Sequence, residues 1–150
     1  MKKYILYTRT GSVRQSRKGI SIEYQKAYLK EYARRNNLQI GEVIKEVGSG
    51  ASEKRKGIIK VLKLLTDGIY QGILCTDFSK ISRCFSLTNK FWQLIAEKGV
   101  EIITPSQIYK NNSDSRIKMF LQTNVDEIYR KNMSESIRRG LQAKKERRHR

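Results

Sequence analysis

Four short stretches hold most of the side chains that could do chemistry. Tyr7-Thr8-Arg9-Thr10-Gly11-Ser12 is followed by Gln15 and then by Gly19-Ile20-Ser21-Ile22-Glu23-Tyr24-Gln25. Glu46-Val47-Gly48-Ser49-Gly50 runs on to Arg55-Lys56-Gly57, and Ser79-Lys80-Ile81-Ser82-Arg83 comes next. The last stretch runs from Glu127-Ile128-Tyr129-Arg130 to Glu135-Ser136-Ile137-Arg138-Arg139-Gly140. Arginines recur through all four. A guanidinium presents a planar fork that can meet two phosphate oxygens at once. Taken singly, each has a plainer reading: Arg9 at a strand end is a solvated charge, and Gly48 and Gly50 are an ordinary turn.

Other chemistries have little to work with. Cys75 and Cys84 are the only cysteines, and Cys75 ends the apolar run Ile73-Leu74-Cys75, which predicts a buried thiol. His149, the only histidine, sits in a basic tail. These make no zinc site, and a solvated tail histidine is badly placed for acid–base work. The net charge of +18, from 32 Lys and Arg against 14 Asp and Glu, costs stability unless a polyanion neutralises it. Nucleic acid is the expected partner. A membrane surface fits poorly, because no basic amphipathic helix with a Trp/Phe/Leu face is present. No apolar run approaches the roughly 20 residues of a membrane span, and Thr8 and Arg9 interrupt any signal-like core. The expectation is a cytoplasmic protein.

The elements that must position these residues alternate. Tyr4–Thr8, Leu38–Val47, Ile73–Cys75 and Val100–Thr104 read as strands, the last closed by Pro105. Ser21 caps a helix through Asn36 with Ile22, Leu29 and Ala33 near one face. Ile58–Leu65 is a short helix with Lys60 and Lys63 outward, stopped at Asp67-Gly68. Ser86–Lys98 is a helix with Leu87, Phe91, Leu94 and Ile95 inward and Gly99 as its C-cap. From about Ser115 one helix runs nearly to the end, with Ile117, Leu121, Val125 and Ile128 as a mainly core-facing stripe. Beyond Arg130 the stripe thins to Met133, Ile137 and Leu141, which suggests an interface, and the strongly basic Leu141–Arg150 is expected to fray. Strand–helix–strand alternation predicts an α/β sheet with helices on both faces.

In this order and at this spacing, the four stretches resemble the catalytic domain of serine recombinases: resolvases, invertases and large serine integrases. The resemblance covers roughly Lys3 to Lys144. It implies a four- to five-stranded, largely parallel sheet flanked by helices, with a long C-terminal helix making the dimer contact. The implied reaction is transesterification on DNA, in which a serine hydroxyl attacks a backbone phosphate, forms a phosphoserine link and releases a 3′ hydroxyl. No metal or nucleotide cofactor is implied. Arginines stabilise the charge that the phosphate gains. Position by position, Arg9, Arg55 and Arg83 fall on phosphate-contacting arginines and Gln25 on the helix glutamine. Arg130 and Glu135 fall on the long-helix residues.

The departures are as informative. The gap-free match from Tyr7 to Gln25 puts Gly11 on the nucleophile. Ser79 stands for an aspartate, Lys80 for an arginine, and Ser136 for another. Lysine keeps the charge but loses the fork. Ser12 is a candidate substitute nucleophile, but it lies one residue on, about 3.3 Å along an extended chain and on its opposite face. A misplacement of about 1 Å can cost roughly a hundredfold. The expected division is a recombinase-like domain over 1–144 and a basic tail over 145–150, with no separate DNA-reading domain before Arg150. The expected function is DNA binding in recombination with strand cleavage impaired. The alternatives are an active enzyme using Ser12, or a non-specific DNA-binding domain. DNA contacts are expected from Arg9, Arg55, Lys80, Arg83, Arg130, Arg138, Arg139, Lys144 and Lys145. Self-association, or a mixed dimer with an active recombinase, is expected through Val125, Ile128, Met133 and Ile137.

Overall fold

The computed structural model describes residues 1–12 and 21–149. Gln15, Gly19, Ile20 and Arg150 of the stretches above lie outside the described residues. The elements are β1 (Lys3–Thr10), α1 (Ile22–Arg35), β2 (Gln39–Val47), α2 (Lys56–Thr66), β3 (Gly72–Leu74), α3 (Phe78–Ile81), α4 (Phe85–Lys98), β4 (Glu101–Ile103), β5 (Ile108–Tyr109) and α5 (Ser113–Arg148). One five-stranded sheet has the order β2-β1-β3-β4-β5, parallel throughout except for the β4–β5 pair.

Strand alternation on β1 splits the core between the two faces. Ile5 and Tyr7 point to a large cluster with Ile58, Val61 and Leu65 of α2, Phe78 and Ile81 of α3, Leu87 and Phe91 of α4, and Met119 of α5. Tyr4 and Leu6 point to the other face, where Leu29 and Ala33 of α1 cover them. Ser21 caps α1 as expected, its hydroxyl accepting from the Tyr24 amide at 3.1 Å. Gly68 and Gly99, both at positive φ, close α2 and α4. Cys75 is fully buried.

The loose alternation of β2 has a cause. The register against β1 shifts at Gly41, so Tyr4 pairs Ile40 and Ile5 pairs Glu42. The extra residue reverses which side chains face which side. Ile40 and Val43, three apart, therefore both pack towards α1, while Ile44 and Glu46 face the other layer. A Cβ on Gly41 would stand 2.3 Å from the Tyr70 ring, so any other residue here would have to displace that ring. The two-residue β5 and the four-residue α3 are too short to show a period in sequence.

The long helix differs from expectation in rotation and in length. Ile117, Leu121, Val125 and Ile128 are all exposed, between 52% and 64%. The core-facing side is instead Ser115, Met119 and Thr123. Hydrogen bonds permit this choice. Thr123 Oγ1 lies 2.7 Å from Thr88 Oγ1, which lies 2.8 Å from Ser82 Oγ, so a buried chain of hydroxyls joins α5 to α4 and to the end of α3. Satisfied hydroxyls can sit where the apolar stripe was expected. Asn112 caps the helix start by accepting from the Ser115 amide at 2.8 Å. Rather than fraying from Leu141, the helix continues through Arg148. Every residue from Ile128 to His149 is exposed, roughly 31 Å of helix with no cover from its own domain.

This rotation is testable by substitution. Met119→Ala should cost about 2–5 kcal/mol. Ile117→Ala should stay within about 0.5 kcal/mol. Urea unfolding at low protein concentration measures both, and equal losses would return Ile117 to the core.

Candidate active site

β1, β2 and β3 are parallel neighbours with β1 in the middle, so their C-terminal ends share one edge of the sheet. Three segments leave that edge: Gly11-Ser12 after β1, the loop 48–55 after β2, and Thr76-Asp77 leading into α3 after β3. Arg9, opposite Glu46 on β2, is 2% exposed. Gln25 of α1 clamps its backbone: the Arg9 amide donates to Gln25 Oε1 at 3.3 Å, and Gln25 Nε2 donates to the Arg9 carbonyl at 3.1 Å. The guanidinium donates to the carbonyls of Gly48 at 2.8 Å, Lys80 at 2.9 Å and Ser79 at 3.2 Å. Burial, reinforced by the charges of Arg83 and Arg55, lowers its pKa to about 10.

Arg55 sits beneath this group. It donates to the carbonyls of Ser52 at 2.9 Å, Lys80 at 3.4 Å and Ile81 at 2.5 Å, and to the Tyr7 hydroxyl at 2.7 Å. Tyr7 in turn donates to Glu46 Oε2 at 2.5 Å, and Glu46 Oε1 accepts from the Gly57 amide at 2.7 Å. Burial raises the Tyr7 pKa, so the phenol stays a donor. Arg55 and Glu46, 3.6 Å apart and nearly fully buried, form the ion pair at the base of the loop. The expectation was an arginine facing phosphate. In this structure its donors are engaged in holding the loop and the end of α3.

Arg83 and Lys80 form the outer, accessible part of the group. Arg83 is exposed, and its amide donates to the Gly50 carbonyl at 2.9 Å. A Cβ on Gly50 would stand 3.0 Å from Arg83 Cγ and Cδ and from Arg9 Nη2. Gly50 therefore marks where the two arginine side chains close over the loop. Lys80 is half-buried, and burial lowers its pKa, with Arg9 and Arg83 acting in the same direction and Asp77 against.

Gly11 and Ser12 are exposed and lie in a bend where β1 pairing ends. Strand alternation therefore does not fix Ser12 on the face opposite Gly11. Arg130, Glu135, Arg138, Arg139, Lys144 and Lys145 all stand on the exposed outer part of α5. Arg130 is about two turns past Thr123, the last fully buried residue of α5, and the structure gives it no contact with the Arg9 group.

Two carboxylates escaped the sequence reading. Asp77 accepts from the Ser79 hydroxyl and lies within electrostatic reach of Lys80 and Arg9. Its position three residues past β3, at the start of α3, is the available signal. Asp126, three residues on from Thr123, accepts from Gln122 at 3.2 Å, while its other oxygen is buried with no hydrogen-bond partner. Burial raises its pKa, against the fields of Arg83 and Arg9. Nothing in its sequence context marks it.

A family model described as "Resolvase, N terminal domain" matches residues 4–150. The chain belongs to the resolvase family of serine recombinases. No curated protein matches it in sequence. Among solved structures, this resolvase domain is similar to the N-terminal catalytic domain of TP901-1 integrase, at 19% identity and a TM-score of 0.65, over 88% of this chain and 99% of that one. It is similar to a resolvase family site-specific recombinase from Streptococcus pneumoniae, at 20% identity and a TM-score of 0.63, over 96% and 98%. A third likeness is to the C-terminal catalytic domain of ISC1926 TnpA, an IS607-like serine recombinase, at 24% identity and a TM-score of 0.59, over 84% and 78%. These likenesses establish the fold. Among the described residues of the resolvase domain, no helix is long and apolar enough to cross a membrane, and no group of three His, Cys, Asp or Glu could hold a metal ion.

The burial difference between two arginines of the resolvase domain separates a buried support from an exposed side chain. Arg55→Met strands Glu46 without its cation and should lower stability by about 3–5 kcal/mol. Arg83→Met, at an exposed position, should change it by no more than about 0.5 kcal/mol. Comparable losses in thermal unfolding would contradict this division.

Proposed function

We propose that this resolvase domain is a cleavage-deficient serine recombinase that binds DNA through its arginine-rich sheet edge and pairs with itself or with an active relative. The observation that carries the reading is Gly11 at the end of β1, on the frame position of the nucleophile, beside a still-assembled Arg9, Lys80 and Arg83. Glycine has no group that can attack phosphorus, while the outward-facing Lys80 and Arg83 still suit a phosphate. Lys80, Ser79 and Ser136 at three further positions fit a pocket no longer tuned for the reaction. An origin in a mobile element agrees with a TnpA relative and an integrase relative.

The second reading, catalysis by Ser12, keeps one favourable observation: Ser12 is exposed in the bend next to Gly11. Incubation with supercoiled plasmid, followed by trapping of covalent protein–DNA adducts, separates the two. No adduct is expected. An adduct that disappears in Ser12→Ala would overturn the proposal and name Ser12 as the nucleophile.

Pairing through α5 is supported by its two apolar sectors. Ile117, Leu121, Val125 and Ile128 form one, and Met133, Ile137 and Leu141 form a second, farther out and on nearly the opposite side of the helix, all exposed by 46% or more. Burying such surface is worth about 25 cal/mol per Å². Arg130, Lys131, Arg138 and Arg139 oppose it, because a two-fold contact brings like charges together. Salt or a bound duplex should screen that repulsion. Light scattering is therefore expected to show a monomer at low salt and a dimer at higher salt or with a short duplex. Ile128→Asp with Met133→Asp should abolish the dimer. A protein that stays monomeric in every condition, and is not retained by an immobilised active recombinase, would leave only the non-specific DNA-binding reading.

A further inference from the structure

Beside the arginine group lies a second, smaller feature. A cavity of about 300 Å³ is lined by Tyr24, Gln25 and Tyr28 of α1 and by Thr76, Asp77 and Lys80 after β3. It sits beyond the C-terminal ends of β1 and β3, where the strand order reverses from β2-β1 to β1-β3. The crossovers on either side of that point leave on opposite faces, and open α/β sheets bind ligands in the crevice this creates. Tyr24 and Tyr28, four residues apart, share one face of α1 and are exposed by 62% and 47%. The core does not use them: Gln25, Leu29 and Ala33 carry the buried side of that helix. Lys80 joins the two features. Its side chain lines the cavity, while its carbonyl accepts from both Arg9 and Arg55.

Resting on the DNA-binding reading above, we propose that this cavity receives one unpaired nucleotide of a single-stranded DNA segment, its base stacked on Tyr24 and Tyr28 and its phosphate against Lys80 and Arg83. Aromatic side chains next to a cationic track are the recurrent arrangement for single strands, because every base has a face to stack. The cavity volume, at the lower end for ligand pockets, suits one nucleotide and excludes a duplex. The Asp77 carboxylate, on the same wall, can accept from an exocyclic amine of the base. A base inside a duplex is already stacked and cannot reach the tyrosines without being extruded. The site therefore discriminates ends, gaps and single strands from continuous duplex. It makes no covalent bond and needs no nucleophile at Gly11.

The test compares the parent chain with the pair Tyr24→Ala/Tyr28→Ala and the pair Tyr24→Phe/Tyr28→Phe. Affinities are read by anisotropy on three labelled probes: a blunt duplex, the same duplex with a short single-stranded overhang, and the single strand. The alanine pair should weaken binding to the overhang and the single strand about 5- to 150-fold and leave the blunt duplex unchanged; the phenylalanine pair should bind like the parent. In the parent, a 5-iodouracil placed in the overhang should photo-crosslink to Tyr24 or Tyr28 by mass spectrometry. No loss in the alanine pair, an equal loss on the blunt duplex, or crosslinks elsewhere would each overturn the stacking site. If the parent binds no blunt duplex even at low salt, the DNA-binding reading itself fails, and the stacking site falls with it. If blunt-duplex binding holds while the stacking results fail, only this inference is lost.

Discussion

Three carbonyls hold the sheet edge together. Ser79, Lys80 and Ile81 end the single turn of α3, and a helix end leaves its last carbonyls without partners inside the helix. Arg9 and Arg55 supply the missing donors, one from a strand and one from the start of α2. The same two guanidiniums hold the Gly48 and Ser52 carbonyls of the loop after β2. Removing either would free a loop and a helix end at once. Their burial costs solvation, which these charge-assisted bonds and Glu46 offset. The group is thus arranged in depth, with Arg55 lowest, Arg9 above it, and Lys80 and Arg83 facing out.

This layering makes the shape of the edge independent of the side chains at its outer positions. Gly11 lies past the last paired residue of β1. Lys80 contributes its carbonyl to the carbonyl network, a group that any residue supplies, so a change of side chain there leaves the support intact. Ser79 similarly contributes its carbonyl, while its hydroxyl bonds the neighbouring Asp77 carboxylate. Positions whose backbone does the structural work tolerate a change of side chain.

Most strands and helices were legible in the sequence because their signals are local: Ser21 as a cap, Gly99 as a stop, Leu87 and Phe91 on one face of α4. The shift at Gly41 was not, since a single extra residue shows only as imperfect alternation. The face of the long helix was misread for a different reason. Periodicity finds an apolar stripe but does not tell cover by the same chain from exposure, and the true inner face uses Thr123 and Ser115, whose polarity hides it. At the site, Arg9 and Gln25 were legible as neighbours through the family spacing. The burial of Arg55 was not, because it depends on Tyr7 and Glu46, distant in sequence. Asp126 left no trace, its environment being created only when α5 packs.

The hydroxyl chain from Ser82 through Thr88 to Thr123 has a mechanical consequence. Close packing around Met119 resists displacement of the helix, and hydrogen bonds between short side chains add a set distance and direction. Thr123 is therefore a fulcrum with a set angle, and the helix beyond Glu127 is an arm of roughly 31 Å. A tilt of about 5° at the fulcrum would carry the tip by roughly 3 Å, close to one base-pair step along a duplex. Three small hydroxyls thus calibrate where the far, basic end of the molecule comes to rest.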